Sequence, residues 1–162
     1  MKKRNFKFVK KELNIRSFLC LMLFVILVCV GCGKSGAPSC GDESVKGLVL
    51  DISTGEIKNQ LLKQTMIMSS IRVPGSYDDV KKIASEPNAP SEVVELIAKV
   101  DEQIASLKIG LINVRTNSKQ DDIKKCECAG DLSFANGESH PITYAAQFTE
   151  DEKIHVSVVG LQ

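Results

Sequence analysis

Three cysteines, Cys40, Cys126 and Cys128, are the residues whose types and spacing could best support chemistry in this chain. Such a set can hold one disulfide and a spare thiol, exchange disulfides through Cys126 or Cys128, or bind zinc together with His140 or His155. The spacing matches no zinc ribbon or finger and no Cys-x-x-Cys helix start. We therefore favour a disulfide and expect neither a metal nor a cofactor.

The other titratable residues form no catalytic pattern. His140 precedes a proline at the start of a predicted strand, and His155 lies on the predicted solvent side of another strand. The acidic pairs at 78–79, 121–122 and 151–152 fall in predicted turns or helix starts, where turn chemistry and solvation explain them. Because two carboxylates need a cleft before they act as acid and base, an enzyme is the alternative and not the expectation.

The N-terminal segment indicates the compartment. Residues 1–31 carry seven basic residues against one acid, and the apolar run Phe18–Val30 has 13 residues, whereas a membrane-spanning helix needs about 20. A basic region, a short apolar run and a small residue before the processing point predict a secretory signal peptide. Val28-Cys29-Val30-Gly31-Cys32 resembles the lipobox of bacterial lipoproteins, in which the cysteine is lipidated and becomes the mature N-terminus.

This resemblance implies a diacylglyceryl thioether and an N-acyl chain, such as palmitate, on Cys32, and more than one acyl chain anchors a protein stably. The expected organisation is a signal peptide at 1–31, a lipidated cysteine and tether at 32–38, and one domain at 39–162 outside the cytoplasm. Gly33 stands where many enterobacterial inner-membrane lipoproteins have Asp, which implies the outer membrane, facing the periplasm, in a Gram-negative host. If Cys32 is unmodified, the apolar run is expected to persist as a signal anchor.

Export to an oxidising compartment favours pairing of the three remaining cysteines. Cys126 and Cys128 are two positions apart on one predicted strand, so their Cα atoms are about 6.6 Å apart, where a bridge would strain the strand. Cys40 is the better partner for either. We predict Cys40–Cys128, with Cys40–Cys126 as the alternative, because Cys128 lies further into the strand.

Apolar spacing predicts helices in the first half of the domain. Residues 39–42 match a capping box, and the apolar stripe that follows predicts a helix to about residue 63. Residues 66–68 are expected to cover the edge of the core. A short helix is predicted at 78–85, and the apolar seam at 93–107 predicts a third helix that packs on the sheet.

From residue 108 onward the apolar period changes to two, which predicts four strands, with Asn136-Gly137 in a hairpin turn. The chain is therefore expected to be α+β, with N-terminal helices packed on one face of a four-stranded antiparallel meander. This element order resembles the cystatin and NTF2-like architectures. The stretches Cys128-Ala129-Gly130-Asp131-Leu132 and Pro141-Ile142-Thr143-Tyr144 resemble small uncharacterised exported bacterial proteins, a likeness that implies no activity.

Charge and strand alternation suggest how the domain acts. The chain after residue 31 holds 14 basic and 19 acidic residues, a net charge of −5, which excludes the basic surface of a nucleic-acid binder. We expect a lipid-anchored envelope protein that binds another envelope protein or peptidoglycan without catalysis. The alternatives are a small-molecule hydrolase or isomerase in an NTF2-like cone, and a thiol–disulfide protein. The candidate binding face is the polar side of the sheet: Glu127, Asp131, Ser133, Thr143, Gln147, His155 and Ser157.

Overall fold

A computed structural model describes residues 36–161, and the chain from Gly36 onward forms one compact unit. The predicted signal peptide, the lipidated Cys32 and most of the predicted tether lie outside the described residues. Three helices precede four strands along the chain. They are α1 (Glu43–Ser69), α2 (Tyr77–Ala84), α3 (Ser91–Leu107), β1 (Gly110–Gln120), β2 (Lys125–Ser133), β3 (Ser139–Phe148) and β4 (Ile154–Val159).

The strands form one antiparallel sheet in the order β1-β2-β3-β4, which confirms the predicted meander and the α+β class. The hairpin between β2 and β3 turns at Asn136-Gly137, where Gly137 has a φ of 85° that a side chain would strain. The register between β2 and β3 is continuous over nine residue pairs. Alternate residues of these strands therefore face opposite sides of the sheet without interruption.

One core lies between α1 and the sheet. Val45 and Val49 of α1 are fully buried and cluster with Tyr144, Ala146 and Val156 of the sheet. The Tyr144 hydroxyl is satisfied inside this core because it donates a hydrogen bond of 3.0 Å to the Cys40 carbonyl oxygen. The apolar residues at alternate strand positions thus face α1, which covers that side of the sheet, and the other side of the sheet is open.

A second core holds the helices to one another. Leu62 of α1 is buried with Tyr77 and Val80 of α2 and with the seam of α3, whose buried members are Val93, Leu96, Ile97 and Val100. No strand residue belongs to this cluster among the described residues. The expectation that α3 packs on the sheet was therefore wrong, because the C-terminal half of α1 supplies the apolar surface that α3 covers.

The limits of α1 also differ from the expected ones. The helix begins at Glu43 because the residues 39–42 form a turn instead, in which the Asp42 carboxylate accepts from the Ser39 amide (3.2 Å). It continues past residue 63 to Ser69. Ile67 and Met68 are 80% and 79% exposed, so the expectation that residues 66–68 cover the core edge holds only for Met66, which packs against the second core.

Candidate functional site

The three cysteines lie together in the core between α1 and the sheet. A Cys40–Cys128 disulfide joins the loop before α1 to β2, with a Cα–Cα distance of 5.8 Å, which confirms the predicted pairing. Both cysteines are buried. The bridge fixes the N-terminal end of α1 on the sheet across 88 positions of sequence.

Cys126 is the spare thiol, and its sulfur lies 3.5 Å from the Cys128 sulfur. Burial raises the pKa of Cys126, so the thiol form is favoured over the nucleophilic thiolate. The proximity that exchange needs is present, whereas the exposure and the lowered pKa are not. All three sulfurs lie within 4.8 Å of one another, but two of them are joined in the disulfide and offer no thiolate to a metal.

The residues of the candidate binding face share the open side of the sheet. The register pairs Lys125 with Gln147 and Gln147 with His155. Two residues further along β2, it pairs Glu127 with Ala145 and Ala145 with Ser157. Because residues opposite one another in an antiparallel sheet point to the same side, the predicted set is contiguous. Its members are Glu127, Asp131, Ser133, Thr143, Gln147, His155 and Ser157.

The acidic members of this face are held by neighbours on β1 and β2. A hydrogen-bonded ion pair with Lys125 (3.0 Å) and a hydrogen bond from Ser118 (3.1 Å) lower the pKa of Glu127. The Asn113 amide donates to Asp131 (2.9 Å). Both carboxylates therefore already have partners within the sheet.

The side chains on the β3 and β4 part of the face have fewer hydrogen-bond partners within the described part of the chain. The side chains of Thr143, His155 and Ser157 are exposed and form no hydrogen bond to any other residue of the described part of the chain. Ala145 lies between Glu127 and Ser157 on the same side, and Ala129, also on this side, is buried by its neighbours. The exposed side chains of β3 and β4 can offer donors and acceptors to a partner surface.

His140 belongs to a different place, a cleft of about 340 Å³ between α1 and the β2–β3 hairpin. Its Nε2 atom pairs with the carbonyl oxygen of Gly160. Phe134, Leu161 and Glu138 are among the other lining residues. The imidazole thus holds the C-terminal segment against β3, and the carboxylate of Glu138 in the same lining accepts a hydrogen bond from the Asn136 side chain.

A further polar cluster joins α2 to α3, and it was not predicted from the sequence. The Tyr77 hydroxyl donates to the Asp101 carboxylate, and Lys81 bridges the hydroxyl (2.9 Å) and the carboxylate (3.0 Å). Burial raises the pKa of Tyr77, so the cluster is not an activated phenolate. The spacing of Tyr77 and Lys81 by four residues was a readable signal, but nothing local indicated Asp101.

Comparisons with family models, curated proteins and solved structures gave no match to this chain. Within residues 36–161, none of the helices has the length and apolar character that crossing a bilayer requires.

Proposed function

We propose that this chain is a lipid-anchored cell-envelope protein that acts by binding a partner and not by catalysis. The observation that carries the proposal is the open sheet face, where exposed Thr143, His155 and Ser157 lie on the same side of the neighbouring strands β3 and β4, backed by a disulfide-linked core. A rigid sheet that presents unsatisfied donors and acceptors can bind a polar surface without first ordering its own side chains.

The proposed anchor is the acylated Cys32, and the way the chain enters the domain supports it. The Ala37 amide donates to the Asp121 carboxylate (2.8 Å), and Lys119 pairs with the same carboxylate (3.2 Å). The hydrogen bond from the Ala37 amide lowers the pKa of Asp121 most, and the contact with Lys119 lowers it further. The domain thus begins within about five residues of Cys32, which would hold it close to the lipid.

The enzyme alternative requires a deep pocket with a buried titratable group between the helix and the sheet. Val45, Val49, Tyr144 and the disulfide occupy that space, and burial raises the pKa of both Cys126 and Tyr144. A partner would be an envelope protein or peptidoglycan, and nucleic acid is disfavoured by the acidic net charge. These observations favour binding over hydrolysis or disulfide exchange.

Charge-inserting variants of the face test the proposal. Thr143→Arg with Ser157→Arg places two large cations on the open face, and the matched control, Glu95→Arg with Glu102→Arg, places two on exposed positions of α3. Both proteins are extracted from membranes, used for affinity capture with quantitative mass spectrometry, and sedimented with purified peptidoglycan. We expect the amount of captured partner or of peptidoglycan-bound protein to fall at least tenfold for the face variant and to remain unchanged for the control.

Equal capture by the face variant, the control and the unchanged protein would refute the use of this face. Unfolding midpoints of the two variants are measured in parallel, so that loss of binding is not confused with loss of fold. A hydrolytic turnover that survives the purification and is abolished by a substitution in the His140 cleft would instead support the enzyme alternative.

A further inference from the structure

The end of α1 carries the most exposed large apolar side chains of the described part of the chain. We call the exposed Ile67 and Met68, together with the half-buried Met66 and Ile71 that also pack against the second core, the apolar tip. Ile67 is 80% exposed and Met68 is 79% exposed, and both lie in the last turn of the helix. Two large apolar side chains this exposed at one end of a helix indicate an interaction surface and not a poorly filled core.

The two charged side chains that line the cavity beside the apolar tip are both positive. This cavity of about 760 Å³ is lined by the apolar Met66, Ile67, Ile71, Val73 and Pro74, by Ser70, and by the cations Lys63 and Arg72. No acidic residue lines the cavity, and residues 57–77 contain none. Neither Lys63 nor Arg72 forms an ion pair within residues 36–161.

This local charge contrasts with the net charge of −5 for the chain after residue 31. Protruding aliphatic groups beside unpaired cations are complementary to a bilayer that has anionic headgroups and an apolar interior. We propose that the apolar tip is a second membrane contact and that it binds the surface of an anionic phospholipid bilayer. The inference rests on the proposed anchor, which holds the tip near lipid at high effective concentration.

The geometry of α1 gives this contact a consequence for orientation. The helix has 27 residues, so it is about 40 Å long at 1.5 Å per residue. The chain enters near the β1–β2 turn, at the N-terminal end of α1, and the apolar tip is at the other end. With both ends at the bilayer, α1 lies along the membrane, and the open face of the sheet, which is the side away from α1, is left to a partner.

The chain contains no tryptophan, so an introduced indole reports its own surroundings without background. Met68→Trp is made in the full-length protein, and Ile112→Trp, at a 44% exposed position on the open side of the sheet, is the matched control. Both are reconstituted into phosphatidylcholine vesicles that contain about 30% phosphatidylglycerol. Emission wavelength and quenching by dibrominated phosphatidylcholine are then measured.

We expect the Met68→Trp emission to shift to shorter wavelength and to be quenched by bromine, and the Ile112→Trp emission to remain at its value in water. Adding Lys63→Glu and Arg72→Glu to Met68→Trp should abolish the shift, since each surface cation contributes about fivefold to binding of anionic lipid. Equal, water-like emission from both indoles on vesicles that carry the protein would overturn the inference.

Acylation of Cys32 is measured separately by mass, which separates the two proposals. An unacylated chain whose Met68→Trp indole is still quenched contradicts the anchor and supports the tip. An acylated, vesicle-bound chain whose indole stays in water supports the anchor and contradicts the tip. An unacylated chain whose indole stays in water contradicts both.

Discussion

Removing the disulfide should have the largest effect on stability of any change in this domain that leaves its apolar side chains in place. The parent for the experiment is Cys126→Ala, which keeps the Cys40–Cys128 bridge and removes the thiol that could attack it. The test protein adds Cys40→Ala and Cys128→Ala to that parent. Both proteins lack the spare thiol, so the comparison isolates the cross-link and its two buried sulfurs.

The magnitude follows from the length of the loop that the bridge closes. For a sequence separation of 88, the chain-entropy relation gives a stabilisation of about 4.6 kcal/mol at 25 °C. Strain and residual structure in the unfolded chain reduce such values in practice, and loss of buried sulfur packing adds to them. The expected decrease in the free energy of unfolding is therefore about 2 to 5 kcal/mol, a large share of the total for a domain of this size.

The assay is equilibrium unfolding in urea, followed by far-ultraviolet circular dichroism. We expect the midpoint to fall strongly in the test protein, and the parent to fall to a similar midpoint when a thiol reductant is added. The test protein should not respond to the reductant. A decrease below about 1 kcal/mol, or a parent that is indifferent to reduction, would refute the assignment of this bridge as the element that holds α1 on the sheet.

Three further predictions concern the core, the helical cluster and the spare thiol. Leu132→Ala removes a fully buried side chain and should lower the free energy of unfolding in urea by about 2 to 5 kcal/mol. Leu48→Ala, at a 36% exposed position, should lower it far less. Equal losses would contradict the burial of β2. Burial alone would raise the pKa of Asp101, but the hydrogen bonds from Tyr77 and Lys81 outweigh it and leave the pKa lowered. Asp101 therefore stabilises the folded state above its unfolded pKa, and this contribution to the free energy of unfolding is lost as the pH falls through its folded pKa. Because both charged groups are half exposed, Asp101→Asn should cost no more than about 1 kcal/mol at pH 7 and less as the pH is lowered through the folded pKa. A cost that grows on acidification would contradict the cluster. Cys126 should resist iodoacetamide in the native protein and react fully in denaturant, and rapid native alkylation would contradict its burial and raised pKa.

The strands and the open face could be predicted because alternation is a local signal. Each residue of β2, β3 and β4 needs only its neighbours two positions away to indicate its side of the sheet. The pairing of Cys40 with Cys128 was also accessible, since a cysteine pair on one strand face leaves few partners for a third cysteine. These features depend on short stretches of sequence or on very few residues.

The helical half was harder to predict because an apolar seam shows that a face is buried and does not show against what. The seam of α3 is real, but its partner is the C-terminal half of α1, which the sequence suggested ended near residue 63. A helix that ended near residue 63 would leave Ile67 and Met68 in a loop beside the core, whereas the longer α1 exposes both side chains in its last turn. The contact between Tyr77 and Asp101 depends on the packing of α2 on α3, which no local pattern encodes.

The central claim is that the chain is anchored by lipid on Cys32 and presents a disulfide-linked binding domain. The most direct test is intact-mass spectrometry of the protein extracted from membranes, with thiol alkylation in denaturant before and after reduction. We expect a mass that begins at Cys32 with added acyl chains, one alkylated thiol before reduction and three after it. A mass that retains residues 1–31 without acyl chains would contradict the claim.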